Sequence, residues 1–217
     1  MKKIYAVNGS PRSNGNTATV LRHALAGAES TGAETELIDL GKLNFSGCRS
    51  CFACKLKEGG TPGCCALRDQ LTAVLEKLGN ADAVIMGSPV YFGAETGLFR
   101  NFMERLFFPY LQYTDPVSTA MKRKIETAFI YTMNIPQEAV GNFGYRDFFD
   151  RTRRFPQIVF NSSEVETLYV CNTFQFSDYS KYVSSMFNAE EKAKARKEQF
   201  PIDCQKAFEL GKRIALK

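Results

Sequence analysis

The sequence predicts an α/β fold, a mainly parallel sheet with helices on both faces. Two observations carry this. Short apolar runs alternate along the chain with segments whose apolar residues recur at helical spacing, and strand–helix alternation builds parallel sheets. The third of these runs is apolar at nearly every position, as a strand covered on both faces must be. A length of 217 residues suits one domain with a large core.

The elements follow in order. Residues 3–7, Lys-Ile-Tyr-Ala-Val, read as a first buried strand, and residues 18–25 as a first helix. Residues 33–40 alternate and predict a second strand. A cysteine-rich loop spans 47–65, and residues 67–78 carry an apolar stripe of Leu67, Leu71, Val74, Leu75 and Leu78. Residues 81–87 are the third strand, 88–93 a loop, and 95–107 a helix with Leu98, Phe102 and Leu106 on one face. Residues 126–132 are a fourth strand. The aromatic and basic segment 139–160 reads as helical, ended or bent by Pro156. Residues 165–171 are a fifth strand, and 189–216 a long polar helix interrupted near Pro201. Ligands bind such sheets at the carboxyl ends of strands, so the loops 10–17, 88–93 and 132–135 are expected to converge.

Composition narrows the function. Hydrophobic residues make up 44% and charged residues 24%, no apolar run is long enough for a bilayer, and no h-region opens the chain. A cytoplasmic protein with no membrane partner is expected. The net charge of +5 forms no block interleaved with aromatics, which argues against nucleic acid. Seven cysteines, an odd number, point to thiol or metal chemistry rather than a disulfide framework. The one histidine, His23, sits inside the first helix and argues against Ser-His hydrolysis and histidine-rich metal sites.

Three stretches carry chemistry. The first, 8–17, is Asn-Gly-Ser-Pro-Arg-Ser-Asn-Gly-Asn-Thr, between strand one and helix one. Ser10, Ser13 and Thr17 bring hydroxyls, Asn14 and Asn16 amides, Arg12 a fixed charge, and no carboxylate intervenes. A helix N-terminus adds unpaired N–H groups. A plain reading is a polar turn with Asn16 or Thr17 as N-cap. The loop lacks the Gly-Lys-Ser/Thr of a P-loop and the Gly-x-Gly-x-x-Gly of a dinucleotide fold. It suits a monophosphate, most often that of FMN. The second, 87–93, is Gly-Ser-Pro-Val-Tyr-Phe-Gly, an aromatic loop at a strand end that suits a flat conjugated ring or a buried plug. The third holds Cys48, Cys51 and Cys54 at Cys-x-x-Cys steps, then Cys64 and Cys65. Four thiolates satisfy a [4Fe–4S] cluster or a zinc ion, and free thiols are the remaining reading. Cys171 and Cys204 read as small buried hydrophobes.

The motifs at 8–17 and 87–93, with Thr96-Gly97 and the tail 178–182, resemble the NADPH-dependent FMN reductase group of flavodoxin-like proteins. The cysteine loop resembles that of the iron–sulfur flavoproteins of this group. The resemblance implies a flavodoxin-like three-layer sandwich, with a five-stranded parallel sheet in order 2-1-3-4-5. It implies one FMN-binding domain over 1–217, with the cysteine loop at 47–65 and a helical extension at about 178–217. It implies that Ser10, Arg12, Asn14, Asn16 and Thr17 hold the FMN phosphate, with Ser13 in the same loop. Pro89, Val90, Tyr91, Phe92 and Gly93 would line the isoalloxazine ring, and Thr132, Met133 and Asn134 would close the site. Cys48, Cys51 and Cys54 would be cluster ligands. The gap to the fourth is longer than in those flavoproteins, and Cys65, four residues before Asp69, fits their pattern better than Cys64.

The implied activity is electron transfer from NAD(P)H or a low-potential carrier to an acceptor, with the redox chemistry belonging to the cofactor. No side chain is assigned as catalytic. NAD(P)H binding would be transient, since no dinucleotide motif is present. A cluster-free FMN or quinone reductase and a non-catalytic electron carrier are the alternatives. A homodimer or homotetramer is expected, with 107–111 and 143–155 as candidate interface segments.

Overall fold

The computed structural model describes residues 1–142 and 144–217. Its elements are β1 (Lys3–Asn8), α1 (Asn16–Glu29), β2 (Glu34–Asp39), α2 (Leu71–Leu78), β3 (Ala83–Tyr91), β4 (Ala94–Glu95), α3 (Gly97–Phe107), β5 (Leu111–Gln112), β6 (Ser118–Thr119), β7 (Glu126–Thr132), α4 (Ala139–Asn142), α5 (Tyr145–Val159), β8 (Glu166–Val170) and α6 (Ala189–Leu216). The five long strands are parallel and lie in the order β2-β1-β3-β7-β8. With β7 and β8 as fourth and fifth long strands, this is the expected 2-1-3-4-5 flavodoxin-like order.

Side chains alternate along the central strands, so the sheet buries both faces. Val7, Val84, Met86, Phe129 and Tyr131 point to one core, shared with Phe102, Leu106 and Phe149 of α3 and α5. Ile4, Ala6, Ile85, Ala128 and Ile130 point to the other, shared with α1 and α6. On that side the two helices meet backbone to backbone. A Cβ on Gly211 would stand 1.7 Å from the Ala24 carbonyl oxygen, and one on Gly27 would stand 1.9 Å from that of Phe208. Only glycine permits this approach.

Several boundaries differ from the expected ones. The helix expected at 67–78 starts at Leu71, because Asp69 Oδ1 accepts the Leu71 N–H at 3.0 Å and the Leu67 carbonyl accepts from Arg105 at 2.9 Å. The loop expected at 88–93 is mostly strand: β3 runs to Tyr91 and folds back antiparallel on β4. Phe92 and Gly93 both have positive φ at the tip, as a tight two-residue hairpin requires. The segment 139–160 forms two helices, and α5 continues past Pro156 to Val159. Phe143 of the candidate interface segment lies outside the described residues. Pro201 does not interrupt α6. It is exposed, so water can satisfy the carbonyl that its missing N–H leaves open. Among the described residues no helix is long and apolar enough to cross a membrane.

Candidate functional site

The loop after β1 is held in shape by its own polar atoms. The Ser10 N–H donates to Asn8 Oδ1 at 3.1 Å and the Arg12 N–H to Ser10 Oγ at 3.1 Å. Asn8 is fixed in turn by donating to Asp39 Oδ1 at 2.8 Å. Gly9 lets the chain press against α3, where a Cβ would meet Phe99 at 2.5 Å, and its carbonyl accepts from Thr96 Oγ1 at 2.7 Å. α1 starts at Asn16 with Gly15 in the N-cap position and no side-chain cap. Neither Asn16 nor Thr17 caps the helix, so its first N–H groups carry no side-chain acceptor.

The carboxyl ends of β1, β3, β7 and β8 open on one cleft of about 70 Å³. Ser10, Arg12, Asn16 and Thr17 line it from the first loop, Pro89, Val90 and Tyr91 from β3, and Thr132, Met133 and Asn134 from the end of β7. Thr17 and Thr132 share a buried hydroxyl–hydroxyl hydrogen bond of 2.7 Å across it. Four expected residues are not among those that line this cleft. Arg22 holds the Ser13 carbonyl at 2.9 Å and Asn14 Oδ1 at 3.3 Å, drawing both to the α1 surface. Phe92 and Gly93 form the hairpin tip, with Phe92 fully exposed.

Gly15, Thr173 and Gln175 also line the cleft and were not expected. The segment after β8 reaches it because Asn16 Nδ2 donates to the Phe174 carbonyl at 3.0 Å and Arg12 donates to that of Gln175 at 3.1 Å. Its position past the fifth strand's carboxyl end was the available signal. α6 adds cations behind the cleft. Arg196 donates to Asn16 Oδ1 at 3.1 Å. The buried Lys192 ammonium donates to the Asn134 carbonyl at 2.6 Å, and burial pushes it below its ordinary pKa. Asn134 Oδ1 is buried without a partner. Among the described lining residues there is no carboxylate.

The hairpin is anchored by a buried carboxylate. Glu95 Oε1 accepts from Tyr131 Oη at 3.0 Å and from Thr152 Oγ1 at 3.2 Å, while Arg100 donates to Oε2 at 3.4 Å. Burial first, and the Glu95 charge second, push the Tyr131 hydroxyl well above the ordinary tyrosine range.

On the opposite side of α3, Cys48, Cys51, Cys54 and Cys65 line one cavity of about 190 Å³. Cys64 is exposed and lines a neighbouring pocket instead. Burial pushes the Cys54 thiol up, with the Lys55 ammonium opposing it. Arg105 forms part of the cavity wall. Among the described residues no three His, Cys, Asp or Glu side chains converge on a single metal-ion position. The four cysteines share a cavity lining, and thiolate sulfur is the donor type that iron–sulfur groups and zinc use.

The model of the NADPH-dependent FMN reductase family matches residues 2–134. Among curated proteins, an iron-sulfur flavoprotein of Methanocaldococcus jannaschii is 37% identical over 103 residues, covering 48% of this chain and 51% of that protein. One from Methanosarcina thermophila is 31% identical over 91 residues, covering 42% and 45%. The chain thus spans about half the length of the curated relatives it matches. Among solved structures, an NAD(P)H:quinone oxidoreductase from Methanothermobacter marburgensis superposes with a TM-score of 0.69 at 16% identity, covering 97% of this chain and 98% of that one. An FMN-dependent NADH-azoreductase from Bacillus anthracis gives 0.66 at 11% identity, covering 99% and 100%. At these identities the structural likeness concerns the fold.

Proposed function

The chain belongs to the NADPH-dependent FMN reductase family, and from that premise we propose that it is an FMN-binding, NAD(P)H-dependent oxidoreductase. The observation that carries this reading is a cleft at the strand carboxyl ends that joins an uncapped helix N-terminus to Arg12 and contains no carboxylate among its described lining residues. That is the chemistry of an anion site.

The residues divide by role. Ser10, Arg12, Asn16 and Thr17 would bind the FMN phosphate. Pro89, Val90, Tyr91, Thr132, Met133 and Asn134 would orient the ring. Bound FMN supplies the electron-accepting and electron-donating chemistry. The Thr17–Thr132 hydroxyl pair locks the phosphate loop to the ring side of the cleft. Arg196 and Lys192 keep the wall behind it positive. Ser13, Asn14, Phe92 and Gly93 do not line the cleft, and in this reading they shape the loops that carry these groups.

The four cysteines that line one cavity support a second element, a [4Fe–4S] cluster held by Cys48, Cys51, Cys54 and Cys65, in line with the names of the curated relatives. It would supply one-electron transfer, and a cytoplasmic setting would keep the thiols reduced when the cluster is absent. Without it the chain would act as a plain flavin reductase. A homodimer would use Phe155 and Ile158, which α5 leaves exposed, whereas Phe107 is buried in its own chain.

The test is a comparison of FMN with riboflavin, which lacks the phosphate. Charge-assisted hydrogen bonds are worth about 1.5–3 kcal/mol, so Arg12→Met should weaken FMN binding roughly 10- to 100-fold. Riboflavin binding should be unchanged. Equal loss for both ligands, or none for either, would refute the phosphate assignment.

A further inference from the structure

Arg105 is an unusual occupant of an apolar helix face. It lies three residues after Phe102, on the side of α3 that packs into the core, and its side chain is fully buried. On one side it is held by Asp69 Oδ2 at 2.5 Å, the Ser46 carbonyl at 3.1 Å and the Leu67 carbonyl at 2.9 Å. On the other side it lines the cavity that Cys48, Cys51, Cys54 and Cys65 also line. Its Nε is buried with no hydrogen-bond partner. A guanidinium taken out of water is stable only when its charge and its donors are met. Asp69 meets one side, one donor is left over, and the residue lines a cavity that four cysteines share.

The geometry points to Arg105 as the charge and hydrogen-bond partner of a thiolate-ligated iron–sulfur cluster. In that place it selects Cys65 over Cys64 as fourth ligand and raises the cluster's reduction potential. This rests on the reading that the cysteine loop holds such a cluster. The direction follows from charge. Reduction adds one electron to an already anionic centre, a nearby buried cation favours the more negative state, and hydrogen bonds to ligand sulfur act in the same sense. Asp69 opposes the effect, since its carboxylate offsets the guanidinium. Two substitutions should therefore move the potential in opposite directions. Arg105→Gln removes the cation and should lower it. Asp69→Asn keeps an acceptor for the Leu71 N–H, leaves the guanidinium unopposed, and should raise it.

The experiment is anaerobic reconstitution of the full chain with iron and sulfide, followed by iron and sulfide analysis and a spectroelectrochemical titration. The expected result is a lower potential in Arg105→Gln, a higher one in Asp69→Asn, and iron lost in Cys65→Ser but kept in Cys64→Ser. Should Arg105→Gln fail to fold, the sign in Asp69→Asn decides. A cluster that assembles but has wild-type potential in these variants would overturn the role of Arg105 alone. Iron lost in Cys64→Ser and kept in Cys65→Ser would do the same. A wild-type chain that takes up neither iron nor sulfide would overturn the cluster reading, and this inference with it.

Discussion

Gly211→Ala tests whether the α1–α6 contact is as tight as its backbone geometry says. Two effects compete. Alanine is the better helix former by about 1 kcal/mol. Against this, the new Cβ lies 1.7 Å from the Ala24 carbonyl oxygen, where ordinary contact needs about twice that distance. The obstacle is backbone, so no side-chain rotation relieves it and the helices must part. Overpacking costs typically 1–3 kcal/mol, and rigid backbone puts this case at the upper end. The net loss should be about 2 kcal/mol, or roughly 4–8 °C in Tm for a chain of this size. Far-UV circular dichroism melts of flavin-free protein keep ligand stabilisation out of the comparison. Gly141→Ala is the control, since nothing lies within 4 Å of its Cβ position. A Gly211→Ala protein that melts at or above the wild-type temperature would refute the reasoning.

Two further outcomes follow from buried and half-buried carboxylates. Glu95→Ala leaves the Tyr131 and Thr152 hydroxyls without their shared acceptor, so it should cost about 3 kcal/mol in urea unfolding, and Glu95→Gln, which keeps an acceptor oxygen, clearly less. Burial would raise the Glu166 carboxyl, but Arg213 at 2.7 Å, aided by Lys217, holds it below its ordinary value. A depressed carboxylate stabilises the fold above its unfolded-state pKa and loses that contribution as pH falls through its folded one. Glu166→Gln should therefore be less stable than wild type at pH 7, with the gap closing as pH falls below the ordinary glutamate range. A gap that stays constant with pH would show that the ion pair contributes nothing.

Much of the fold was legible because it depends on local pattern. The apolar runs at 3–7, 81–87 and 126–132 fall on β1, β3 and β7, and their parallel order follows from the helices between them. The cleft was legible because loops at strand carboxyl ends must meet. What escaped depends on partners far along the chain. Arg105 looks misplaced on its helix until Asp69 arrives beside it and Cys65 lines the same cavity. Glu95 reads locally as a first helical residue, yet pairing with Val90 makes it strand and Tyr131 with Thr152 make it tolerable when buried. Thr173 and Gln175 carry no motif, and their approach to the cleft is set by hydrogen bonds from Arg12 and Asn16, more than 150 residues earlier. Ser13 and Asn14 match the phosphate-loop composition but are claimed by Arg22, nearly two turns into the helix.

The most direct test of the central claim is an absorbance spectrum of anaerobically purified protein, with acid-extracted flavin identified by chromatography. The cleft between the β1 loop and the ends of β3 and β7 predicts flavin bands, one FMN per chain, and loss of that FMN in the Thr17→Val, Arg12→Met double variant. A chain that carries no flavin and takes none up from added FMN would contradict it.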